Sequence, residues 1–509
     1  MKPTVHFGGA TLAPATFFDR WRRSASALAE CGVGERDVFA LMLRNEPVAL
    51  ELMLAGRWIG ARWCMVNWHF KAQELRHILA DSGARVFIVH ADLLEAIEGS
   101  VPDGVRVFVV DPEEATRAAF ALGDGPWLLA HGLPRWPAFR DDTRRAAAPQ
   151  RAPGAAMLYT SGTTGLPKGI ARDVASPDQV QATLATARLA LGIEPGMRAL
   201  LGAPLYHAAP NSYALLTMLS DAELWLEPRF DAERTLALVA TQRLTHAYLV
   251  ATMYVRLLAV APEVRARHDL RSMRFVASTG SPCPPEIKRR MIEWWGPVIH
   301  ETYAASELGY ITHIDSADAL RKPGSAGRAL PGATLKVLGT AGVELPAGET
   351  GVLYARHAAV PDFTYSHNDA ARRALERVGL WTLGDMGYVD AEGFLFIVDR
   401  QSDMVISGGV NIYPAEIEAV LMTMPGVADC ALFGIPDAEF GEALAAAVQP
   451  APGAAPTAAE VQAFLRERIA GFKVPRLVTF HDALPREDSG KIFKRRLRDP
   501  YWAGRARRV

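Results

Sequence analysis

Residues 159–169 read Tyr-Thr-Ser-Gly-Thr-Thr-Gly-Leu-Pro-Lys-Gly and follow a short apolar run that we predict to be a strand. The hydroxyls and backbone amides of such a loop donate to anionic oxygens, and its glycines let the backbone come close to a ligand. The loop differs from the common ATPase motif, in which Lys-Ser or Lys-Thr directly follows the second glycine, because two residues separate Gly165 from Lys168. A solvated surface loop would have a similar composition, so the remainder of the chain decides between the two interpretations.

The composition is typical of a globular protein that acts on small molecules. Its 509 residues are 50% hydrophobic and 22% charged. The formal net charge of -1 produces no electrostatic field that would attract nucleic acid. The first residues lack the pattern of a signal peptide and no apolar run approaches about 18 residues, so we expect a cytoplasmic protein without an integral membrane segment. The sequence is compatible with a homodimer. Four cysteines without C-x-x-C spacing indicate reduced thiols: Cys31, Cys64, Cys283 and Cys430.

Short apolar runs alternate with helical patterns in the N-terminal half, which predicts an α/β fold with parallel sheets. The predicted strands are 85–90, 105–110, 156–159, 199–203, 223–226, 246–250, 274–278 and 298–302, and two predicted helices are 47–59 and 73–82. The glycine-rich loop would then follow the carboxyl end of a strand, where open α/β sheets bind ligands.

The pattern changes towards the C-terminus. Alternating segments punctuated by Gly and Pro predict a small antiparallel, barrel-like subdomain over 324–388. A compact α+β piece follows, with a helix indicated by the capping box of Thr457 and Glu460. We therefore predict a large N-terminal domain of parallel and mixed sheets over residues 1–399 and a small α+β domain over residues 400–509.

Further segments combine residue types that suit a nucleotide and a metal ion. Residues 303–307, Tyr-Ala-Ala-Ser-Glu, hold a ring, a hydroxyl and a carboxylate, and Mg²⁺ prefers oxygen ligands. By itself this segment is more typical of a helix N-terminus capped by Ser306. Asp385 ends the segment Trp-Thr-Leu-Gly-Asp, and a carboxylate suits a vicinal diol because each of its oxygens accepts one hydroxyl.

With the loop at 159–169, these segments resemble, in the same order, the signatures of the adenylate-forming superfamily, in its acyl-CoA and aryl-CoA synthetase branch. The resemblance covers nearly the whole chain and implies ATP, Mg²⁺ and coenzyme A as cofactors. It implies that Tyr303 lies against adenine, Ser306 on phosphate and Glu307 on magnesium. The other implied nucleotide contacts are Thr160, Ser161, Gly162, Thr163, Thr164, Gly165, Lys168, Gly280, Asp385 and Arg400. The chain departs from the family pattern at Ala304, where relatives carry Gly, and at Ser306, where they carry Thr.

The resemblance assigns two half-reactions to the C-terminal region. Lys491, in Pro-Arg-Glu-Asp-Ser-Gly-Lys, matches the family's adenylation lysine, a cation between the attacking carboxylate and the α-phosphate. Ser407, Gly408 and Gly409 would approach the pantetheine arm of coenzyme A in the second step. The small domain is expected to be mobile and to reorient between the steps. Ser402 stands at the swivel position, where relatives commonly carry Asp or Lys.

The resemblance also implies an acyl pocket. Tyr206, His207 and Ala208 would form its entrance, where the family places an aromatic gate beside the reacting carboxylate, so His207 counts among the catalytic candidates. A structural histidine is the alternative, since no Ser/His/Asp or H-E-x-x-H arrangement makes it a base or ligand. Small residues would form the walls and floor: Ser278, Thr279, Gly280, Ala304 and Ala305.

The predicted activity is an acid:CoA ligase for an aromatic or a short- to medium-chain carboxylic acid. An adenylation enzyme that loads a carrier protein and a luciferase-like oxygenase are alternatives within the fold. From another class, a nucleotide-binding sensor that has lost its chemistry remains an alternative. Retention of Glu307, Asp385, Arg400 and Lys491 together favours the enzyme.

Overall fold

The computed structural model describes residues 3–123, 132–142, 144–160, 167–281, 283–407, 410–486 and 492–503. The first part of the chain forms β1 (Thr4–Phe7), β2 (Ala10–Leu12), α1 (Pro14–Glu30), β3 (Val38–Met42), α2 (Pro47–Ile59), β4 (Arg62–Met65), α3 (Ala72–Ser82), β5 (Val86–His90), β6 (Arg106–Val110), α4 (Glu114–Phe120) and α5 (Trp136–Arg140). Helix α2 has the same first and last residues as the predicted helix 47–59. It has Pro47 in its first turn, and Gly60 ends it with a left-handed φ of 75°.

A four-stranded parallel sheet with the order β4-β3-β5-β6 forms one layer of the N-terminal region. Every residue of β3 and β5 is buried, as expected when helices cover both faces of a parallel sheet. The predictions of strands at 85–90 and 105–110 and of a helix at 73–82 are confirmed, because only the starting residues differ, by one position.

The alternation of strands and helices continues in the middle of the chain. The elements are β7 (Leu158–Thr160), β8 (Lys168–Arg172), α6 (Pro177–Leu191), β9 (Arg198–Leu201), α7 (Ala208–Met218), β10 (Glu223–Leu226), α8 (Ala232–Gln242), β11 (His246–Tyr248), α9 (Ala251–Leu258), α10 (Pro262–Arg265), β12 (Phe275–Thr279), α11 (Pro285–Trp295), β13 (Ile299–Ala305), β14 (Gly309–Ile314) and α12 (Ser316–Arg321). The predicted strand 223–226 is confirmed as β10, whereas β13 extends three residues beyond the predicted 298–302.

A long mixed sheet organises this region and the antiparallel segment that follows. The antiparallel segment contains β15 (Gly327–Ala329), β16 (Ala333–Leu338), β17 (Gly351–His357), β18 (Phe363–Tyr365), α13 (Asp369–Ala374), β19 (Glu376–Arg377), β20 (Leu380–Trp381), β21 (Asp385–Val389) and β22 (Phe394–Arg400). The sheet order is β19-β20-β17-β21-β22-β15-β14-β13-β12-β11-β9-β10-β1-β2, with β16 beside β17. Neighbouring strands from β1 to β13 are parallel, and those from β13 to β19 are antiparallel. The predicted antiparallel pattern over 324–388 is confirmed, but the antiparallel pairing begins earlier, at β14, and ends later, at Arg400.

The predicted strand 156–159 is parallel only at its start, where Ala156 bridges Trp63 of β4, and its remainder belongs to an antiparallel sheet, which corrects the sequence-based expectation. β7 and β8 pair as an antiparallel hairpin, and β18 joins them in a three-stranded sheet with the order β18-β8-β7. The error arose because a short apolar run before a glycine-rich loop has the same local pattern in a hairpin and in a strand–loop–helix unit. The partner strands are set by contacts distant in sequence.

The C-terminal region forms β23 (Val405–Ser407), β24 (Val410–Ile412), α14 (Pro414–Leu421), β25 (Val427–Asp437), β26 (Gly441–Pro450), α15 (Ala458–Arg466), β27 (Leu477–Phe480) and α16 (Lys494–Arg498). The capping box of Thr457 and Glu460 begins α15 as predicted. Helices α14 and α15 pack on the sheet β24-β23-β26-β25 through a hydrophobic cluster distinct from the N-terminal cluster. Within the described ranges, no helix combines the length and apolar character that crossing a bilayer requires.

Candidate active site

The hairpin of β7 and β8 holds the two flanks of the glycine-rich loop. Thr160 ends β7 opposite Lys168, the first residue of β8. The ammonium of Lys168 lies 5.4 Å from the ring centroid of Tyr365 on β18. The other predicted phosphate contacts in this loop lie outside the described residues: Ser161, Gly162, Thr163, Thr164 and Gly165.

Helix α3 contacts both flanks of this hairpin. The Tyr159 hydroxyl donates to the Asp81 carboxylate at 2.6 Å, and His77 Nε2 donates to the carbonyl oxygen of Pro167 at 2.9 Å. A Cβ on Gly169 would lie 2.7 Å from Cζ of Tyr159, so only glycine leaves room for this ring. The close approach that Gly169 permits is therefore to a side chain of the protein itself.

Glu307 lies in the turn between β13 and β14 and is only 7% exposed. Tyr365 donates a hydrogen bond of 2.9 Å to Oε1 of its carboxylate. Burial raises the pKa of Glu307, and the hydrogen bond from Tyr365 and the charge of Arg172 oppose that shift. A cation beside the second oxygen would offset the cost of the buried negative charge. The site therefore fits Mg²⁺, which is commonly held by one or two carboxylates together with phosphate and water oxygens.

Asp385 is the first residue of β21 and lies opposite Arg400, the last residue of β22, in the strand register. Tyr303 donates to Oδ2 of Asp385 at 2.6 Å, and Arg400 Nε donates to Oδ1 at 3.1 Å. Each carboxylate oxygen has two lone pairs, so each retains capacity to accept a ribose hydroxyl. The three side chains form a connected polar group on interior strands of the long sheet, with Asp385 buried at its centre.

The charged groups of this region lie close enough to shift one another's pKa. The pKa of Tyr303 is raised well above its ordinary value, mainly by burial, then by the charge of Asp385, and Glu307 adds to the shift. The charge of Arg400 in turn lowers the pKa of Glu307. The structure thus brings together Tyr303, Glu307, Asp385 and Arg400, and Tyr365 connects them to Lys168.

The segment 303–307 does not begin a helix, which corrects the interpretation based on that segment alone. Tyr303 and the two following alanines belong to β13, with a register shift after Tyr303, and the chain returns as β14. Ser306 lies in the turn between these strands. Gly309 has a φ of 77°, so the chain reverses directly after Leu308 and leaves no room for a helical turn.

The predicted acyl-pocket segments lie at the carboxyl ends of neighbouring parallel strands. Ser278 and Thr279 end β12, and Gly280 follows with a φ of 97°. Ala304 and Ala305 lie on the adjacent β13. The entrance segment follows β9, which is separated from β12 only by β11, so both segments meet at the same edge of the sheet. Its predicted residues are Tyr206, His207 and Ala208.

Two buried asparagines hold the entrance segment. Asn45 Oδ1 accepts from the backbone N–H of Leu205 at 2.9 Å, and its amide donates to the carbonyls of Ala203 and Glu227. Asn211 donates to the Leu205 carbonyl at 3.1 Å. Both polar backbone groups of the residue before Tyr206 are therefore fixed by side chains.

Aromatic contacts complete the entrance. Trp68 meets Tyr206 edge-to-face at 4.7 Å between ring centroids, and the Tyr206 and His207 rings are 4.4 Å apart. Edge-to-face packing of this kind contributes to the orientation of a ring beyond simple burial. The position of Tyr206 is thus set by rings as well as by the hydrogen bonds to Leu205.

A charged cluster lies where β22 ends, at the predicted boundary between the domains. The Asp399 carboxylate accepts from the backbone N–H groups of Arg400 at 2.7 Å and Ala415 at 3.0 Å. Burial raises the pKa of Asp399 to about 6, and the charge of Lys494 opposes the shift. Lys494 forms an ion pair of 2.8 Å with Glu418.

The remaining predicted C-terminal residues are placed only in part. Ser407 is the last residue of β23. Arg498 donates to the backbone carbonyl of Ser402 at 3.3 Å, so α16 contacts the predicted swivel position. Three predicted residues lie outside the described ranges: Gly408, Gly409 and Lys491.

Several site-contacting residues were not predicted from the sequence. Tyr365 is 58 positions from Glu307, and Arg172 is 135 positions from the Glu307 carbonyl that it contacts. Asn45 and Asp81 are equally remote from the segments that they hold. A lone Tyr, Arg, Asn or Asp carries no local signal of such a role, because its partner appears only once the sheets have formed.

Comparison with known protein families shows which family the chain belongs to. The AMP-binding enzyme model matches residues 2–361, and the model of the AMP-binding enzyme C-terminal domain matches residues 416–491. Feruloyl-CoA synthase of Amycolatopsis sp is 34% identical over 97% of this chain and 95% of that protein. Indoleacetate--CoA ligase of Aromatoleum aromaticum is 32% identical over 97% of this chain and 94% of that protein.

Solved structures agree with this assignment. The o-succinylbenzoate CoA synthetase (MenE) of Bacillus subtilis, solved in complex with the acyl-adenylate intermediate OSB-AMP, superposes with a TM-score of 0.81. The two chains are 25% identical, and the match covers 97% of this chain and 94% of that structure's chain. The chain therefore belongs to the AMP-binding, adenylate-forming enzyme family, in the acyl-CoA synthetase branch of AMP-forming acid–thiol ligases.

Proposed function

We propose that this enzyme activates an aromatic or a short- to medium-chain carboxylic acid and transfers the acyl group to coenzyme A. The carboxylate attacks the α-phosphate of MgATP, which gives acyl-AMP and pyrophosphate. The thiol of coenzyme A then attacks the acyl carbon, and AMP leaves. The observation that carries the proposal is the hydrogen-bonded group of Tyr303, Asp385 and Arg400 beside Glu307. The names of both relatives, a feruloyl-CoA synthase and an indoleacetate--CoA ligase, support an aromatic acid.

The nucleoside would bind against Tyr303 and Asp385. The Asp385 carboxylate accepts the ribose hydroxyls with its remaining lone pairs, and Arg400 holds that carboxylate in place. Tyr303 offers its ring to adenine while its hydroxyl stays on Asp385. Because these contacts already exist between the side chains, the site is organised before ATP binds.

The phosphates would bind between the β7–β8 hairpin and the turn of Glu307. Mg²⁺ held by Glu307 supplies neutralising charge to the phosphate oxygens. Lys168 enters from the other side on β8. Lys491 is assigned to the α-phosphate, because the attack brings a carboxylate and a phosphate together and a cation between them removes their repulsion.

We propose two domains, residues 1–399 and 400–509, that reorient between the half-reactions. The separate hydrophobic clusters support this division. Lys491 would serve the first step and Ser407 to Gly409 the second, so the small domain would turn to present each of them in its own step. Ser402 lies at the proposed swivel, where Arg498 contacts its carbonyl. The proposal also places the enzyme in the cytoplasm, with a homodimer as the oligomer to test by sedimentation.

Carboxylate-dependent exchange of pyrophosphate into ATP tests the first half-reaction. A panel of aromatic, alicyclic and C2 to C12 acids should contain at least one that supports exchange. A sensor without chemistry would show none with any acid. Coenzyme A and a phosphopantetheinyl carrier protein are then compared as acceptors, and faster thioester formation on the carrier would replace coenzyme A in the proposal.

Lys491→Ala separates the two steps. We expect it to abolish acyl-AMP formation while thioester formation from supplied acyl-AMP is largely kept, because the lysine acts only on the charged adenylation step. Lys336→Ala is the matched control, since Lys336 pairs with Glu344 at 2.7 Å on the antiparallel strands. Equal losses of Lys491→Ala in both half-reactions would contradict the assigned role.

A further inference from the structure

The three-stranded sheet β18-β8-β7 contacts the Glu307 turn through two side chains. Tyr365 on β18 donates to Oε1 of Glu307 at 2.9 Å. Arg172, the last residue of β8, donates to the backbone carbonyls of Ser306 and Glu307, the latter at 2.9 Å. A further guanidinium nitrogen donates to the carbonyl of Pro361 at 3.0 Å. The strand that begins with Lys168 therefore ends with a residue that holds the acidic turn.

Arg172 is a half-buried cation whose guanidinium binds backbone carbonyls. Burial lowers the pKa of its guanidinium to about 10, and the charges of Glu307 and Asp362 oppose the shift. Within the described part of the chain, its hydrogen bonds all end on backbone carbonyl oxygens. The planar guanidinium fork suits such multiple contacts, which lysine cannot reproduce. Its partial burial is thus compensated by backbone carbonyls of the Glu307 turn and of Pro361.

Tyr365 contacts two of the charged groups assigned to the phosphates. Its hydroxyl binds the Glu307 carboxylate, and its ring centroid lies 5.4 Å from the ammonium of Lys168. Its backbone is fixed by pairing with Ile170 on β8. Removing only the hydroxyl would release the carboxylate while the ring stays beside Lys168.

We propose that Tyr365 and Arg172 are positioning residues for Glu307, with Tyr365 engaging one carboxylate oxygen and Arg172 fixing the backbone of the turn. The small sheet thereby couples the placement of Lys168 to that of the metal-binding carboxylate. This inference rests on the proposed binding of Mg²⁺ by Glu307.

Calorimetric titration of ATP without any acid substrate tests the inference independently of turnover. ATP affinity is measured with saturating Mg²⁺ and again with excess EDTA. We expect Tyr365→Phe to weaken ATP binding about tenfold with Mg²⁺, the size of one hydrogen bond to a charged group, and to leave binding in EDTA unchanged. Tyr388→Phe is the control, because Tyr388 stacks on Phe396 at 4.9 Å away from the Glu307 turn.

Kinetics of pyrophosphate exchange provide the second measurement. Arg172→Met and Arg172→Lys should both lower kcat and raise KM for MgATP, with KM for the acid unchanged and with at most partial rescue by Lys. Arg356→Met is the control, since the Arg356 guanidinium lies 5.1 Å from the ring centroid of Trp381 and does not hold the turn. If Arg172→Met fails to fold, the Tyr365→Phe titration decides alone.

The outcomes separate this inference from the proposed function. Wild-type protein whose ATP affinity does not respond to Mg²⁺, or that shows no exchange with any acid, would remove the proposed function. If the ATP affinity of wild type responds to Mg²⁺, two results would overturn only the positioning role. Either Tyr365→Phe binds ATP as tightly as wild type, or its ATP affinity is weakened by the same factor in Mg²⁺ and in EDTA.

Discussion

Replacing Asp385 by Asn removes one negative charge from the centre of the candidate site with almost no change in side-chain volume. The two carboxylate oxygens accept from Tyr303 at 2.6 Å and from Arg400 at 3.1 Å. Asn offers one acceptor oxygen and one amide donor, so the oxygen can stay on Arg400 only if the amide group faces Tyr303, whose hydroxyl must then accept instead of donate. The proposed ribose diol meets the same restriction, because only one of its hydroxyls can still donate.

The expected loss follows from these contacts. A hydrogen bond to a charged group is worth about 1.5–3 kcal/mol, and one between neutral groups about 1 kcal/mol. Losing one ribose contact and neutralising the other should cost about 2 kcal/mol of ATP binding, which is roughly 30-fold in Kd.

A double comparison of protein and ligand isolates the ribose contact. Calorimetry gives Kd for ATP and for 2′,3′-dideoxy-ATP, in wild type and in Asp385→Asn. We expect wild type to discriminate between the two nucleotides by about 30-fold or more and the variant by only a few-fold. Asp390→Asn is the control, because Asp390 lies on the same subdomain and accepts from Lys322 at 2.8 Å.

One result would refute the reasoning. If wild type and Asp385→Asn discriminate against the dideoxy nucleotide by the same factor, Asp385 does not contact the ribose, whatever the effect on ATP affinity itself. A general loss of binding for both nucleotides would instead reflect rearrangement of Tyr303 and Arg400 around the neutral side chain.

Two further predictions concern the frame around the site. The folded pKa of Asp399 is about 6, above its unfolded value near 4, so the folded state keeps this carboxyl protonated to a higher pH than the unfolded state does. Stability should fall by at most about 3 kcal/mol as pH rises from about 4 to about 6. Asp399→Asn should remove that slope in melting temperatures measured against pH, and an unchanged slope would contradict the assignment. Gly169→Ala should raise KM for ATP and lower the free energy of unfolding by about 1–3 kcal/mol, because its methyl would overlap the Tyr159 ring. Gly123→Ala, with nothing within 4 Å, is its control and should match wild type in both KM and melting temperature.

Elements with strong local signals were predictable from the sequence. Helix α2 matches its predicted range because Pro47 opens the helix and Gly60 takes the left-handed conformation that ends it. The capping box at Thr457 likewise begins α15. In both cases the deciding interactions lie within a few residues, so the sequence pattern contains them completely.

Elements whose character depends on distant partners were predicted less well. The run before the glycine-rich loop became a hairpin strand because β18, nearly two hundred positions later, completes its sheet. Residues 303–305 became part of β13 rather than a helix start because β14 returns beside them. A single sequence does not show which strand will pair, since pairing is decided by burial of the assembled sheets.

The sequence by itself determined the residue types and order of the segments proposed to bind the nucleotide, because backbone freedom, hydroxyls, carboxylates and cations are properties of single residues and short motifs. Only the tertiary structure decided which side chains orient them. Tyr365 and Arg172 hold Glu307, Tyr303 and Arg400 hold Asp385, and Asn45 and Asn211 hold the entrance. Such contacts join residues far apart in the chain, and their hydrogen bonds exist only where folding has excluded water from both partners.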